Sequence, residues 1–168
     1  HIVWAFSKDF GASGLRCGAL ISENESVINA VASMAYWAAC SGHTQHLLSE
    51  LVADDQAVDR FIDGSQKKLR ATYARVTQAL RSNEIKYVSA EAAFFLICDL
   101  REFLSTPTWE SERILWRTLL DSANTNLTPG EACRINEPGF FRLCYAAESG
   151  DAVEAAINRM GKVLRGLN

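Results

Sequence analysis

No stretch of this sequence is apolar for long enough to cross a bilayer, which takes about 20 consecutive apolar residues. Its opening also lacks the basic region, apolar core and cleavage site of a secretory leader. An excess of basic charge is missing too: 17 lysines and arginines against 20 aspartates and glutamates leave a formal charge of -3. A mildly acidic surface gains nothing from a phosphate backbone or an anionic lipid face, so neither nucleic acid nor membrane is expected as a partner. The five cysteines, Cys17, Cys40, Cys98, Cys133 and Cys144, are odd in number and form no CxxC pair. That pattern argues against a disulfide framework and against a zinc knuckle. Most lie in apolar runs, where a free cysteine acts as a small hydrophobe. A reducing compartment fits this usage, so the expected location is cytoplasmic. Walker, HExxH and GxSxG motifs are absent. His43 and His46 stand three residues apart, but no third ligand is evident nearby and no metal is expected.

What is present is ordinary globular composition, 48% hydrophobic and 22% charged over 168 residues, enough to bury a core. His1 to Ser7 is rich in β-branched and aromatic residues and reads as a short buried strand with Lys8 at its C-terminal end. Leu15 to Ser22 reads as a second strand, and two strands cannot complete a sheet alone. From Ser26 to Cys40 the spacing of Val27, Ile28, Val31, Met34, Ala35 and Ala38 follows a helical period, which Ser41-Gly42 breaks. A helix over 43–51 follows, and a longer one opens near Asp54-Asp55, whose carboxylates suit a helix N-terminus. Beyond it the pattern predicts strands over 86–89 and 92–100, a helix over 111–120, turn chemistry at Asn126 to Gly130, a strand over 139–146 and a closing helix over 152–164. Residues 54 to 168 thus read as an α+β layer.

Two places in this pattern carry chemistry. Lys8 is followed by glycines at 11, 14 and 18 and by Arg16. A lysine in a partly dry site has a lowered pKa and can condense with an aldehyde, and the same amine can move a proton at a neighbouring carbon. Arg16 offers a planar fork matched to phosphate oxygens, and Ser7 and Ser13 add hydroxyl donors. The second place is Arg142, an arginine inside an apolar strand, where a charge needs a partner. A substrate carboxylate would pair with it bidentately, and so would a structural carboxylate such as Glu137 or Asp99.

Ser7-Lys8-Asp9-Phe10-Gly11 through Gly14-Leu15-Arg16-Cys17-Gly18 resembles the lysine motif of class I/II aminotransferase-fold enzymes that depend on pyridoxal phosphate. The form is that of the 1-aminocyclopropane-1-carboxylate synthase branch. The similarity continues through Thr44-Gln45, Phe61-Ile62, Asp99-Leu100-Arg101, Leu127-Thr128-Pro129-Gly130 and Glu137-Pro138-Gly139-Phe140-Phe141-Arg142, in order over nearly the whole chain. The resemblance implies that Lys8 is the covalent attachment point of pyridoxal 5'-phosphate, that Arg16 and Ser7 bind the cofactor, and that Arg142 holds the substrate carboxylate. It also implies a fold-type I homodimer. Residues 1–49 would be the C-terminal remnant of the α/β large domain, and 50–168 the α+β small domain.

Departures from the family pattern shape the expected function. Ala5 stands where the family commonly has a phosphate-binding serine, and Ala12-Ser13 replaces the usual Leu-Pro. The family residues that stack on the cofactor ring and bond its pyridine nitrogen and phenolic oxygen lie far upstream of the lysine. The chain is therefore expected to be the C-terminal part of a larger enzyme and inactive alone. For the whole enzyme the resemblance implies a lyase that eliminates a sulfur-bearing group from an amino acid by C-S cleavage. Transamination is the alternative, and a catalytically inactive interaction module is a third reading.

Overall fold

Residues 1–167 are described by a computed structural model in which the apolar opening forms a strand, β1 (Ile2–Ala5). The strand stops sooner than expected. Its last residues coil instead into a single helical turn, α1 (Phe6–Asp9), so Lys8 lies on that turn and not at a strand end. A four-residue turn is too short to show a helical period in the sequence. The returning strand, β2 (Gly18–Ile21), pairs antiparallel with β1, placing Trp4 opposite Ala19 and Ala5 opposite Gly18. These two strands make a small sheet of their own.

Polar caps set the next boundaries. The Asn24 side chain accepts from the Val27 N–H to start α2 (Glu25–Ala38), and the Ser41 hydroxyl accepts from the Thr44 N–H to start α3 (Gly42–Val52). Asp54 Oδ1 accepts from the Ala57 N–H at 3.1 Å ahead of α4 (Asp55–Ser82). The chain divides into two compact units, His1–Gln66 and Lys67–Asn168, and the boundary falls inside α4. In the first unit Leu48 is the one buried hydrophobic side chain among the described residues, while Val3, Met34, Tyr36 and Trp37 are exposed.

The second unit holds the core. It contains β3 (Lys86–Val88), β4 (Phe95–Asp99), α5 (Trp109–Ala123), β5 (Thr128–Pro129), β6 (Phe140–Cys144) and α6 (Gly150–Arg165). The strands form one sheet in the order β3-β4-β6-β5, with every neighbouring pair antiparallel. Alternation then sorts the side chains: Leu96, Cys98, Phe141 and Leu143 are buried, and the residues between them are half-buried on the opposite face. The buried set joins Val76 and Leu80 of α4, Leu115 and Leu119 of α5, and Ile157, Met160 and Leu164 of α6 in one cluster. Burying each such side chain contributes about 1.5–3 kcal/mol. β5, two residues long, forms where the sequence shows only turn chemistry. The architecture is mixed α and β, and among the described residues no helix is long and apolar enough to cross a membrane.

Candidate active site

Lys8 is presented by a turn that its aromatic neighbours hold in place. Trp4 Nε1 donates to Asp9 Oδ2 at 2.6 Å, the residue after the lysine. Trp4 meets Phe6 edge-on at 4.7 Å between centroids, Phe6 meets Phe10 at 5.2 Å, and Phe10 stacks on Phe61 at 5.4 Å with the rings 7° from parallel. Such pairs contribute about 0.5–1.5 kcal/mol each beyond their buried area. The Phe6 N–H donates to the Cys17 carbonyl at 3.2 Å, tying the start of α1 to the entrance of β2.

Between them the chain reverses through Gly11, whose φ of +61° lies in the left-handed region that glycine enters without steric cost. A 3-10 turn over Ser13–Leu15 follows, packed against α1. It ends on Arg16, which is itself left-handed at φ 51° and ψ 42°. A non-glycine residue pays about 1–2 kcal/mol there, and residues held in such conformations cluster at binding sites. Arg16 Nη1 donates to the Ser13 carbonyl at 2.9 Å, which sets the direction of an otherwise exposed guanidinium. Lys8 and the half-buried Ser7 thus stand on α1 and Arg16 at the end of the 3-10 turn, all three within the β1–β2 connection.

Arg142 lies in the second unit, on the face of β6 opposite the core. Strand alternation explains its tolerance, because Phe141 and Leu143 take the buried positions and Arg142 remains half-buried. The expected alternative, a salt bridge from Arg142 to Glu137 or Asp99, does not form. Those carboxylates belong to Arg101, which binds Asp99 through Nε at 2.9 Å and Nη2 at 2.8 Å and reaches Glu137 at 3.3 Å. Arg101 holds the Asp99 carboxyl below the usual carboxylate range through this side-chain hydrogen bond, against a smaller opposing effect of burial. Arg142 instead sits over the Phe95 ring at 4.6 Å from its centroid and donates through Nη2 to Thr128 Oγ1 at 3.3 Å. Among the described residues it makes no ion pair, and no buried side-chain donor is left unsatisfied, so the rest of its fork faces solvent.

One polar residue of consequence gave no sequence signal. Glu112 is fully buried in the first turns of α5 and accepts from the N–H groups of Glu131 at 3.0 Å and Gly139 at 2.7 Å. The cysteines are all free, and burial pushes the Cys98 thiol up to about 12. His43 and His46 lie on α3, and among the described residues no group of three potential metal ligands occurs.

A family model described as aminotransferase class I and II matches residues 1–160. Among curated proteins, the 1-aminocyclopropane-1-carboxylate synthase 6 of Arabidopsis thaliana is 38% identical over 160 residues, which is 95% of this chain and 32% of that protein. A 1-aminocyclopropane-1-carboxylate synthase of Glycine max is 37% identical over the same length and is covered to 33%. The chain therefore spans about a third of the length of the curated relatives it matches. Among solved structures, an aromatic aminotransferase from Pyrococcus horikoshii OT3 superposes with a TM-score of 0.84 at 22% identity, over 99% of this chain and 43% of that one. Aspartate aminotransferase from Thermus thermophilus with maleate gives 0.82 at 22% identity, over 96% and 40%. At these identities the structural likeness concerns the fold.

Proposed function

This chain belongs to the class I and II aminotransferase family, and on that premise we propose that it forms the C-terminal part of a pyridoxal-phosphate-dependent enzyme acting on an amino acid. Residues 1–49 are read as the end of the α/β large domain and 50–168 as the small domain. The exposed apolar side chains of the first unit, Val3, Met34, Tyr36 and Trp37 among them, support its being part of a larger domain, since apolar surface of this kind is covered in a complete one. The whole enzyme is read as a cytoplasmic homodimer.

The donors on the Lys8 turn fit the cofactor. An amine, a guanidinium and a hydroxyl on one connection match an aldehyde and a phosphate dianion. Ala5 withholds one hydroxyl, a loss of about 1 kcal/mol. Lys8 is assigned the covalent attachment and, once released, the transfer of the proton at the substrate's Cα. Arg16 and Ser7 are assigned the phosphate. Arg142, with Phe95 beneath its plane and Thr128 at one edge, is assigned the α-carboxylate, which its remaining donors can grip bidentately. When bound, pyridoxal phosphate supplies the sink for the electron pair left at Cα.

The reaction is read as elimination at a sulfur-bearing side chain, with S-adenosylmethionine as the substrate of choice. The observation that carries this is the identity of 38% to a 1-aminocyclopropane-1-carboxylate synthase across 95% of the chain. The whole enzyme loaded with pyridoxal phosphate should release a thioether from S-adenosylmethionine, and Lys8→Ala should abolish both that release and the cofactor's covalent absorption band. Amino transfer to a keto acid without thioether release would replace the lyase reading with transamination. A covalent band that survives in Lys8→Ala would overturn the assignment of the lysine.

A further inference from the structure

Glutamate is almost never fully buried unless it is paired, because an isolated carboxylate pays heavily for leaving water. Glu112 is 0% exposed, yet among the described residues it has no cationic partner. Its acceptors are spent on the backbone: Oε1 takes the Glu131 N–H at 3.0 Å and Oε2 the Gly139 N–H at 2.7 Å. The first turns of α5 favour a negative charge at this point, since the unpaired N–H groups of a helix start make it electropositive. That makes the burial tolerable but does not explain the choice of the two N–H groups.

Their positions do. Glu131 follows β5 by two residues, and Gly139 immediately precedes β6. β5 and β6 pair so that Thr128 stands opposite Arg142 and Pro129 opposite Phe141. This ladder is weak in itself, because β5 has two residues and its proline has no N–H to give. One carboxylate therefore joins the exit of β5 to the entrance of β6, with one oxygen on each. Backbone bonds from Cys133 and Ile135 to the Gly130 carbonyl, at 2.9 and 3.0 Å, shape the connection but do not reach Gly139. The Thr128 hydroxyl meets Arg142 only while that register holds.

We infer that Glu112 is the positioning residue for Arg142, holding the β5–β6 register that places Thr128 against the guanidinium and leaves its other donors for a carboxylate. This rests on the reading of Arg142 given above. The chemistry also selects the variant. In Glu112→Gln one oxygen becomes an NH2 group facing an N–H, so one end of the clamp is lost while the shape is kept.

The test uses the whole cofactor-loaded enzyme and reads binding instead of turnover. L-methionine and L-methioninamide differ only at the carboxyl group, and equilibrium dialysis gives the ratio of their dissociation constants. In Arg142→Lys the preference for methionine should fall by about tenfold or more, as expected for loss of a bidentate charge-assisted pair. In Glu112→Gln it should fall by about fivefold or more, whereas a lost hydrogen bond with no link to Arg142 would affect the two ligands alike and leave the ratio unchanged. Glu112→Asp keeps the charge but draws the carboxylate back by one methylene, out of reach of the two N–H groups; it should move the ratio the same way and serves if the glutamine variant does not fold. An unchanged ratio in Arg142→Lys would overturn the reading of Arg142. A ratio that collapses in Arg142→Lys but stays at the wild-type value in a folded Glu112 variant would overturn the positioning role alone.

Discussion

Gly139 carries the tightest single constraint near β6. Its φ of +100° lies where L side chains are strained, and a Cβ there would stand 2.6 Å from Arg101 Cγ and 2.9 Å from Arg101 Cα. Gly139→Ala is expected to lower the free energy of unfolding by about 2 kcal/mol or more, from backbone strain and overpacking together. Denaturant unfolding of the purified chain measures this, and a loss under about 0.5 kcal/mol would mean that the turn yields freely. At this scale the sequence was readable where a residue was out of place. Arg142 stood out because a charge interrupts an apolar strand, and Lys8 because glycines and an arginine follow it. Glu112 did not stand out: a glutamate in the first turns of a helix is where an exposed N-terminal charge is expected. The N–H groups that satisfy it belong to residues 131 and 139, which are remote in sequence.

Among the elements, those with a full period matched their reading. The helix expected over Ser26 to Cys40 is α2 at Glu25–Ala38, and the one expected over 152–164 is α6 at Gly150–Arg165. β6 fits within the expected strand because its alternation is complete. α1 and β5 escaped notice for a common reason, since four and two residues contain no period to detect. The β1–β2 pair forms a two-stranded sheet among the described residues, where the sequence suggests that two strands do not complete one. The end of β4 gives a pH dependence. Arg101 holds the Asp99 pKa below its unfolded value of about 3.9, so the contribution to stability is complete above that pH and is lost as pH falls through the lower, folded value. Acid titration of stability should therefore show wild type and Asp99→Asn separated at neutral pH and converging below about pH 4. A constant separation down to pH 2 would contradict the pairing.

For the molecule as a whole, the two units differ in what holds them together. Lys67–Asn168 contains the entire buried cluster from Val76 to Leu164, whereas His1–Gln66 buries Leu48 alone among its described hydrophobic residues. Opening free energies follow buried contacts. In hydrogen exchange on the isolated chain, amides of β4 and β6 should outlast those of β1 and β2 by about a hundredfold or more. Equal protection would mean that the first unit is as stable as the second. The order of elements from residue 54 onward was legible because each has its own pattern. The pairing β3-β4-β6-β5 was not, since it depends on which strands meet after the helices have packed.

The Glu112 clamp has a consequence for how this part of the molecule can vary. A carboxylate that binds only peptide N–H groups is blind to the identity of the residues offering them. The ion pairs that do depend on identity there, Arg113 with Glu131 and Arg101 with Glu137, lie at the surface, where such pairs are worth about 0–1 kcal/mol. The loop from 131 to 137 can therefore drift widely in sequence while its two ends stay fastened. A proline at 131 or 139 would instead unfasten one end of the clamp, because proline deletes the N–H itself, and at 139 that loss would add to the strain that any side chain meets there.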